Sequence, residues 1–272
     1  MYTYPIALTI ATSDSGGGAG IQADLKTFSA LGVFGTSVLC ALTAQNTMTV
    51  SGIMPVEADF VTKQLQAVLS DFDVKAIKIG MIYTPANAKA ISEQLPKCVP
   101  VILDPVMIST SGCSLIEDDT AKAMEKYLFP LATLLTPNIS EAQALCSIKI
   151  KTIEDMQKAA HIFVDQKGLN AVLVKGGHLE GNTMADILYI KGDNETQIIK
   201  SQKIKSNNTH GTGCTLSSAI AAYMAIGFTL AHSVKKAKEY ITQAIKEGND
   251  VQIGHSHGPV NHFFCPQILI KK

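Results

Sequence analysis

From Pro5 to Val174, short runs that are apolar on both faces alternate with helical stripes, and the loop after most of these runs is built from glycine, proline or aspartate. Pro5 to Ala11 leads into Ser13-Asp14-Ser15-Gly16-Gly17-Gly18-Ala19-Gly20, and Ile21, Leu25, Phe28 and Leu31 then follow at helical spacing before Gly32. Ser37 to Leu42 reads as extended, Phe60 to Phe72 as helical and Ala76 to Ile79 as extended, and Thr84-Pro85 opens a helix that runs to Leu95. Val99 to Leu103 ends in Asp104-Pro105, and Ala132 to Leu135 ends in Thr136-Pro137-Asn138. Thr152-x-x-Asp155 caps a helix through Phe163, and Ala171 to Val174 ends in Lys175-Gly176-Gly177.

A strand with no polar face must be covered on both sides. The pattern therefore predicts an α/β fold, a three-layer αβα sandwich around a mostly parallel, doubly wound sheet. Such sheets bind ligands outside the carboxyl ends of their strands, which is where these loops fall. Between Met184 and Ile204 two strands flank Lys191-Gly192-Asp193-Asn194, which predicts an antiparallel hairpin at one edge.

Composition narrows the function classes. With 46% apolar and 17% charged residues over 272 positions, the chain can bury a large core. It shows no internal repeat and no low-complexity linker, so it reads as a single domain, 1–272. The 23 basic residues balance the 23 acidic ones, leaving no basic field to draw a nucleic acid. The longest apolar window, Ala219 to Ile226, is about half of the roughly 18 residues a membrane span needs. The N-terminus lacks the layout of a signal peptide, and the six cysteines form no C-x-x-C pair. A reduced, cytoplasmic compartment is expected.

Asn208-Thr209-His210-Gly211-Thr212-Gly213-Cys214-Thr215-Leu216-Ser217 is a glycine loop feeding a helix, with Leu216, Ile220, Tyr223 and Met224 along one side. Converging N–H groups and the helix dipole make such a start an anion site, and a tight turn before a buried helix is the plainer alternative. At that position the dipole can lower the Cys214 thiol, unless the side chain is simply a small buried hydrophobe. No Walker A loop occurs, and Gly16, Gly18 and Gly20 are spaced G-x-G-x-G, not as a dinucleotide fingerprint. Asn138 and Glu141 stand one turn apart after a strand end, which suits either a helix cap or metal-bound water, and Asp104 adds a carboxylate suited to Mg²⁺. His255, His257, His262 and Cys265 match no established zinc spacing and read as a closing segment that packs the terminus.

Taken together, Ala11 to Thr27, Thr43-Ala44-Gln45-Asn46-Thr47, Asp104-Pro105-Val106-Met107, Thr136-Pro137-Asn138 and His210-Gly211-Thr212-Gly213-Cys214 resemble the hydroxymethylpyrimidine/phosphomethylpyrimidine kinases of thiamine biosynthesis. Those enzymes belong to the ribokinase-like superfamily, and the likeness runs from about Ala7 to about Ala244.

The resemblance implies a kinase that uses ATP and Mg²⁺ to phosphorylate 4-amino-5-hydroxymethyl-2-methylpyrimidine and then its monophosphate, and it implies a homo-oligomer, by family resemblance a dimer. It assigns Gly211, Thr212 and Gly213 to an anion hole and Cys214 to the catalytic base, where the sugar kinases have Asp. Gln45 matches the residue that reads the pyrimidine, with Val106 and Gly20 as further substrate positions; Asp24, one turn into the first helix, suits either a hydrogen bond from the substrate or the helix start itself, and Met81 either a flat ring or the core. Asn138, Lys175, His178 and Thr209 are expected near ATP, and Glu141 and Asp104 near the metal. Thr12 stands where the family usually has Gly, which alters the pocket near the ring. The related pyridoxal kinases share the scaffold. From the residues alone, two other readings stay open: a thiol acyl transferase using Cys214 with His210, and a pyrimidine-binding protein without catalysis. Dependence of turnover on ATP and Mg²⁺ separates both from a kinase.

Overall fold

The computed structural model describes residues 2–107, 117, 119–177 and 183–272. Among them, β1 (Ile6–Asp14), β2 (Phe34–Gln45), β3 (Val50–Pro55), β4 (Val74–Ile79), β5 (Val101–Leu103), β6 (Leu134–Leu135), β7 (Ala171–Val174), β8 (Thr183–Ile190) and β9 (Gln197–Gln202) form one sheet in the order β3-β2-β1-β4-β5-β6-β7-β8-β9. Every pairing from β2 through β1, β4, β5 and β6 to β7 is parallel. The pairings of β2 with β3, of β7 with β8 and of β8 with β9 are antiparallel.

Among the described residues, eight α-helices accompany the sheet: α1 (Gly20–Ala30), α2 (Ala58–Asp71), α3 (Pro85–Gln94), α4 (Thr120–Ala123), α5 (Ile139–Cys146), α6 (Ile153–His161), α7 (Thr212–Ile226) and α8 (Leu230–Lys246). Alternate strand residues divide the core into two layers, as a period of two requires. Leu8, Ile10, Ile77, Ile79, Leu103 and Leu135 pack with Val61 of α2, Ile91 of α3, Leu145 of α5 and Met156 of α6. Ala7, Ala76, Ile102, Leu134 and Leu173 face the other way, onto Phe28 of α1, Ile220 of α7 and Ile241 of α8. Helix α7 is apolar nearly all round because it lies between α1, α8 and the sheet.

The expected sandwich and its edge hairpin are present, the hairpin as β8 and β9 with Gly192 at φ +93° in the turn. Three features depart from the sequence reading. Strand β2 runs on to Gln45, past the expected end at Leu42, and β3 returns antiparallel beside it, so both sheet edges are antiparallel. Val50–Pro55 escapes sequence reading because Gly52 and Pro55 look like breakers. At an edge, where proline's missing N–H costs no ladder bond, they are tolerated. Helical turns also fill Thr120–Leu131, where no element was expected. No helix among the described residues is long and apolar enough to cross a membrane.

The chain leaves β1 for β2 on one side and reaches β4 on the other, which makes the carboxyl ends of β1 and β4 a switch point. The described residues that directly follow β1, β4, β5, β6 and β7 all lie at that edge.

Candidate active site

The loop after β1 is organised by one carboxylate. Asp14 Oδ1 accepts the N–H of Gly16 at 2.8 Å, and Oδ2 accepts those of Gly18 at 3.0 Å and Ala19 at 2.8 Å. His210 Nε2 lies 2.9 Å from the same Oδ2. Burial would raise the Asp14 carboxyl, but the bond to His210, the N–H groups and the charge of His210 outweigh it and hold the group below the usual carboxylate range. The two glycine loops therefore interlock through an Asp-His contact. Gly211 caps α7 at φ +77°, and a Cβ there would sit 1.8 Å from the Gly18 carbonyl oxygen. Only glycine permits that approach.

Gln45, at the end of β2, is fixed at both backbone and side chain. Its N–H donates to Ser15 Oγ at 2.8 Å, and its carbonyl accepts from the same hydroxyl at 2.7 Å. Its amide lies between Thr43 Oγ1 and His210 Nε2, at 3.2 and 3.3 Å. The side chain is half-buried.

Asp104, at the end of β5, is buried, and its Oδ1 accepts from Lys175 Nζ at 2.7 Å and Thr136 Oγ1 at 3.0 Å. A Cβ on Gly213 would lie 3.3 Å from that Nζ and 3.5 Å from Asp104 Oδ2, so the ion pair reaches the first turn of α7. Burial opposes the charge on Lys175, but Asp104 and then Glu141 hold it above the usual lysine range.

Asn138 and Glu141 form a capping box. Glu141 Oε2 accepts the Asn138 N–H at 2.7 Å, and Asn138 Oδ1 accepts the Glu141 N–H at 2.9 Å. Burial pushes the Glu141 carboxyl up to about 7, with Asp104 adding to the rise and Lys175 and the Asn138 N–H opposing it. The cap is thus what the structure builds from this pair, and the two expected metal carboxylates flank an ammonium. Among the described residues, no group of three or more His, Cys, Asp or Glu side chains could hold a metal ion. This donor set fits a hydrated Mg²⁺ shared with phosphate oxygens, not a protein cage.

A matching family model decides what this arrangement belongs to: that of phosphomethylpyrimidine kinase fits residues 14–261. The chain belongs to the phosphomethylpyrimidine kinase family. It is 47% identical over 261 residues to the hydroxymethylpyrimidine/phosphomethylpyrimidine kinase of Rhizobium meliloti (strain 1021), covering 95% of this chain and 97% of that protein. The crystal structure of phosphomethylpyrimidine kinase from Clostridium difficile 630 superposes with a TM-score of 0.77 at 44% identity, covering 88% of this chain and 99% of that one. The pyridoxal kinase from Staphylococcus aureus, in complex with AMP-PCP and pyridoxal, superposes with a TM-score of 0.86 at 36% identity, covering 96% of this chain and 94% of the other.

Against this family, several sequence expectations need correction. Asp24 does not open onto the cleft: it is fully buried, and its oxygens accept from Lys78 Nζ at 2.9 and 2.8 Å, Thr9 Oγ1 at 2.6 Å and Ser218 Oγ at 2.6 Å. Cys214 is half-buried on the first turn of α7, but its thiol is not lowered. Burial pushes it up to about 11, Asp24 and Asp104 add to the rise, and Lys78 and the Gly20 N–H only partly oppose it. His210 is engaged with Asp14 and Gln45, so a Cys214-His210 nucleophile pair is not formed.

Other expected positions fall around the same edge. The Met81 carbonyl accepts from Thr12 Oγ1 at 3.0 Å, so the unusual threonine ties the end of β1 to the loop after β4. Gly20 adopts φ +55° against the Thr12 carbonyl, and half-buried Val106 follows Asp104. The Thr209 carbonyl takes the Thr212 N–H at 3.2 Å and its hydroxyl at 2.7 Å. His178 and Cys113 lie outside the described residues. His262 is buried against Thr215 Oγ1 at 3.0 Å, while His255 and His257 are exposed, so the closing segment packs and does not converge.

The roles of Asp14 and Thr43 were missed from sequence, as was that of Lys78. Only Asp14 left a signal: an aspartate two residues before a glycine run is the usual acceptor for the N–H groups of a tight turn. The thiols give a direct test. At neutral pH iodoacetamide should label exposed Cys98 and Cys265 before Cys214, because alkylation follows thiolate and access. Peptide mapping by mass spectrometry checks the order, and first labelling of Cys214 would mean its sulfur is far better hydrated than its surroundings dictate.

Proposed function

We propose that the chain is an ATP-dependent kinase of thiamine biosynthesis that phosphorylates 4-amino-5-hydroxymethyl-2-methylpyrimidine and then its monophosphate at one site, with residues 1–272 forming one kinase domain. The observation that carries this reading is the meeting of the Asp104-Lys175 pair with the Gly211–Cys214 helix start. An ammonium and the positive end of a helix converge where charge builds on a phosphoryl group in transfer. Bound phosphate competes with Asp104 for Lys175.

Gln45 offers one donor and one acceptor to the edge of an aminopyrimidine. Cys214 aligns the hydroxyl and, as thiolate, accepts its proton. Mg²⁺, when bound, neutralises phosphate charge, with Glu141 and Asp104 as the residues to hold its water shell. A reduced, cytoplasmic compartment and a homodimer go with this reading, and sedimentation of the purified chain tests the second.

The test is ADP release with ATP and Mg²⁺ across hydroxymethylpyrimidine, its monophosphate, pyridoxal and ribose. The first two should turn over fastest and ribose not at all. The likeness to a pyridoxal-bound kinase favours pyridoxal as a secondary substrate. Release with ribose alone, or with none of the four, would remove the reading.

A further inference from the structure

The side-chain amide of Gln45 meets its two neighbours with opposite demands. Asp14 accepts three backbone N–H groups, so it acts as an acceptor, and His210 Nε2, 2.9 Å away, must carry a proton towards it. That N–H cannot also accept from the Gln45 nitrogen 3.3 Å away. On the other side, Thr43 Oγ1 has one proton and lies 3.0 Å from the Ser13 carbonyl, which can only accept. The one His210 N–H, forked between Asp14 and the amide, thus calls for an acceptor on Gln45, and Thr43, its proton on Ser13, calls for a donor. Both are satisfied when the amide is turned by 180° about its last bond, with oxygen towards His210 and nitrogen towards Thr43, a turn that moves no other atom.

We propose that Thr43 and the Asp14-His210 pair are positioning residues that lock the Gln45 amide in this orientation and so choose which way round an aminopyrimidine docks. The inference rests on the kinase reading above. Along the edge of 4-amino-5-hydroxymethyl-2-methylpyrimidine the order is ring nitrogen, amino group, carbinol. The Gln45 nitrogen pairs with the ring nitrogen on the Thr43 side, and the oxygen takes the amino group on the His210 side. The carbinol, next to the amino carbon, then continues in the same direction, towards the residue that immediately precedes Gly211. With the amide reversed, the carbinol would point away from the anion loop. The lock also rejects the 4-oxo analogue, whose edge carries an N–H where the amino form has a bare nitrogen.

The experiment measures calorimetric binding of the 4-amino and 4-oxo hydroxymethylpyrimidines to the whole chain without nucleotide. Thr43→Val should weaken the 4-amino compound roughly tenfold, and the 4-amino over 4-oxo preference should fall by about tenfold or more, because the amide is free to turn. Thr43→Ser should restore both, which a purely structural role of the residue would not require. Thr43→Ala, lacking the branched methyl, carries the same expectation as Thr43→Val if that variant folds poorly. A wild-type preference in the valine or alanine variant, or no recovery in the serine variant, overturns the proposal, as does a wild-type chain that binds neither pyrimidine. Selective binding without ADP release on adding ATP would overturn the kinase reading alone and leave the amide lock standing.

Discussion

Cys214→Ala is expected to lower turnover of the pyrimidine alcohol roughly 10²–10⁴-fold while leaving ATP binding intact, since it removes the group that takes the hydroxyl proton and touches none of the anion-binding N–H groups. The pH dependence sharpens the test. Only thiolate accepts the proton, and burial sets the Cys214 thiol near 11, so the thiolate fraction grows as pH rises. Wild-type turnover at saturating substrate should therefore climb steadily from neutral pH into the alkaline range. Cys214→Asp places a carboxylate there, which is ionised well below neutrality when hydrated. Its profile should be flat where the wild type still rises. A wild-type rate that is level from pH 7 to pH 10, or an alanine variant as fast as wild type, would remove Cys214 as the base.

The parts of this molecule that follow from main-chain demands were open to sequence reading. Strands without a polar face at Val101–Leu103 and Leu134–Leu135 can only be central, and the Asp104-Pro105 and Thr136-Pro137-Asn138 breaks mark where they end. The glycine start of α7 was legible for the same reason: Gly211 sits where only glycine avoids the Gly18 carbonyl. What a polar side chain does once buried was not legible. Asp24 reads as a helix-start acid, yet its partners come from β1, β4 and α7, none of them adjacent in sequence. The thiol of Cys214 was misjudged because the helix dipole is visible in a sequence and the burial that overrides it is not. Glu141 was open to two readings, and the helix cap among them became visible only through the two distances of the capping box.

Lys78→Met should be the most destabilising single change away from the cleft, at about 3–5 kcal/mol in urea-induced unfolding. Lys78 and Asp24 are both fully buried, and the ammonium meets both carboxylate oxygens. Methionine keeps the length and the apolar stem but leaves the carboxylate with only the hydroxyls of Thr9 and Ser218, which cannot offset an uncompensated buried charge. The argument turns on the orphaned charge and not on the worth of the pair, so Lys78→Met with Asp24→Asn should recover roughly half or more of the loss, because the amide stays neutral, accepts from one hydroxyl through its oxygen and donates to the other through its nitrogen. Lys122→Met supplies the contrast: its pair with Asp119 is exposed on both sides, and no measurable change is expected. If Lys78→Met unfolded at the wild-type urea concentration, or if the double variant were less stable than the single, the Asp24-Lys78 pair would not be what joins α1 and α7 to the sheet beneath the cleft.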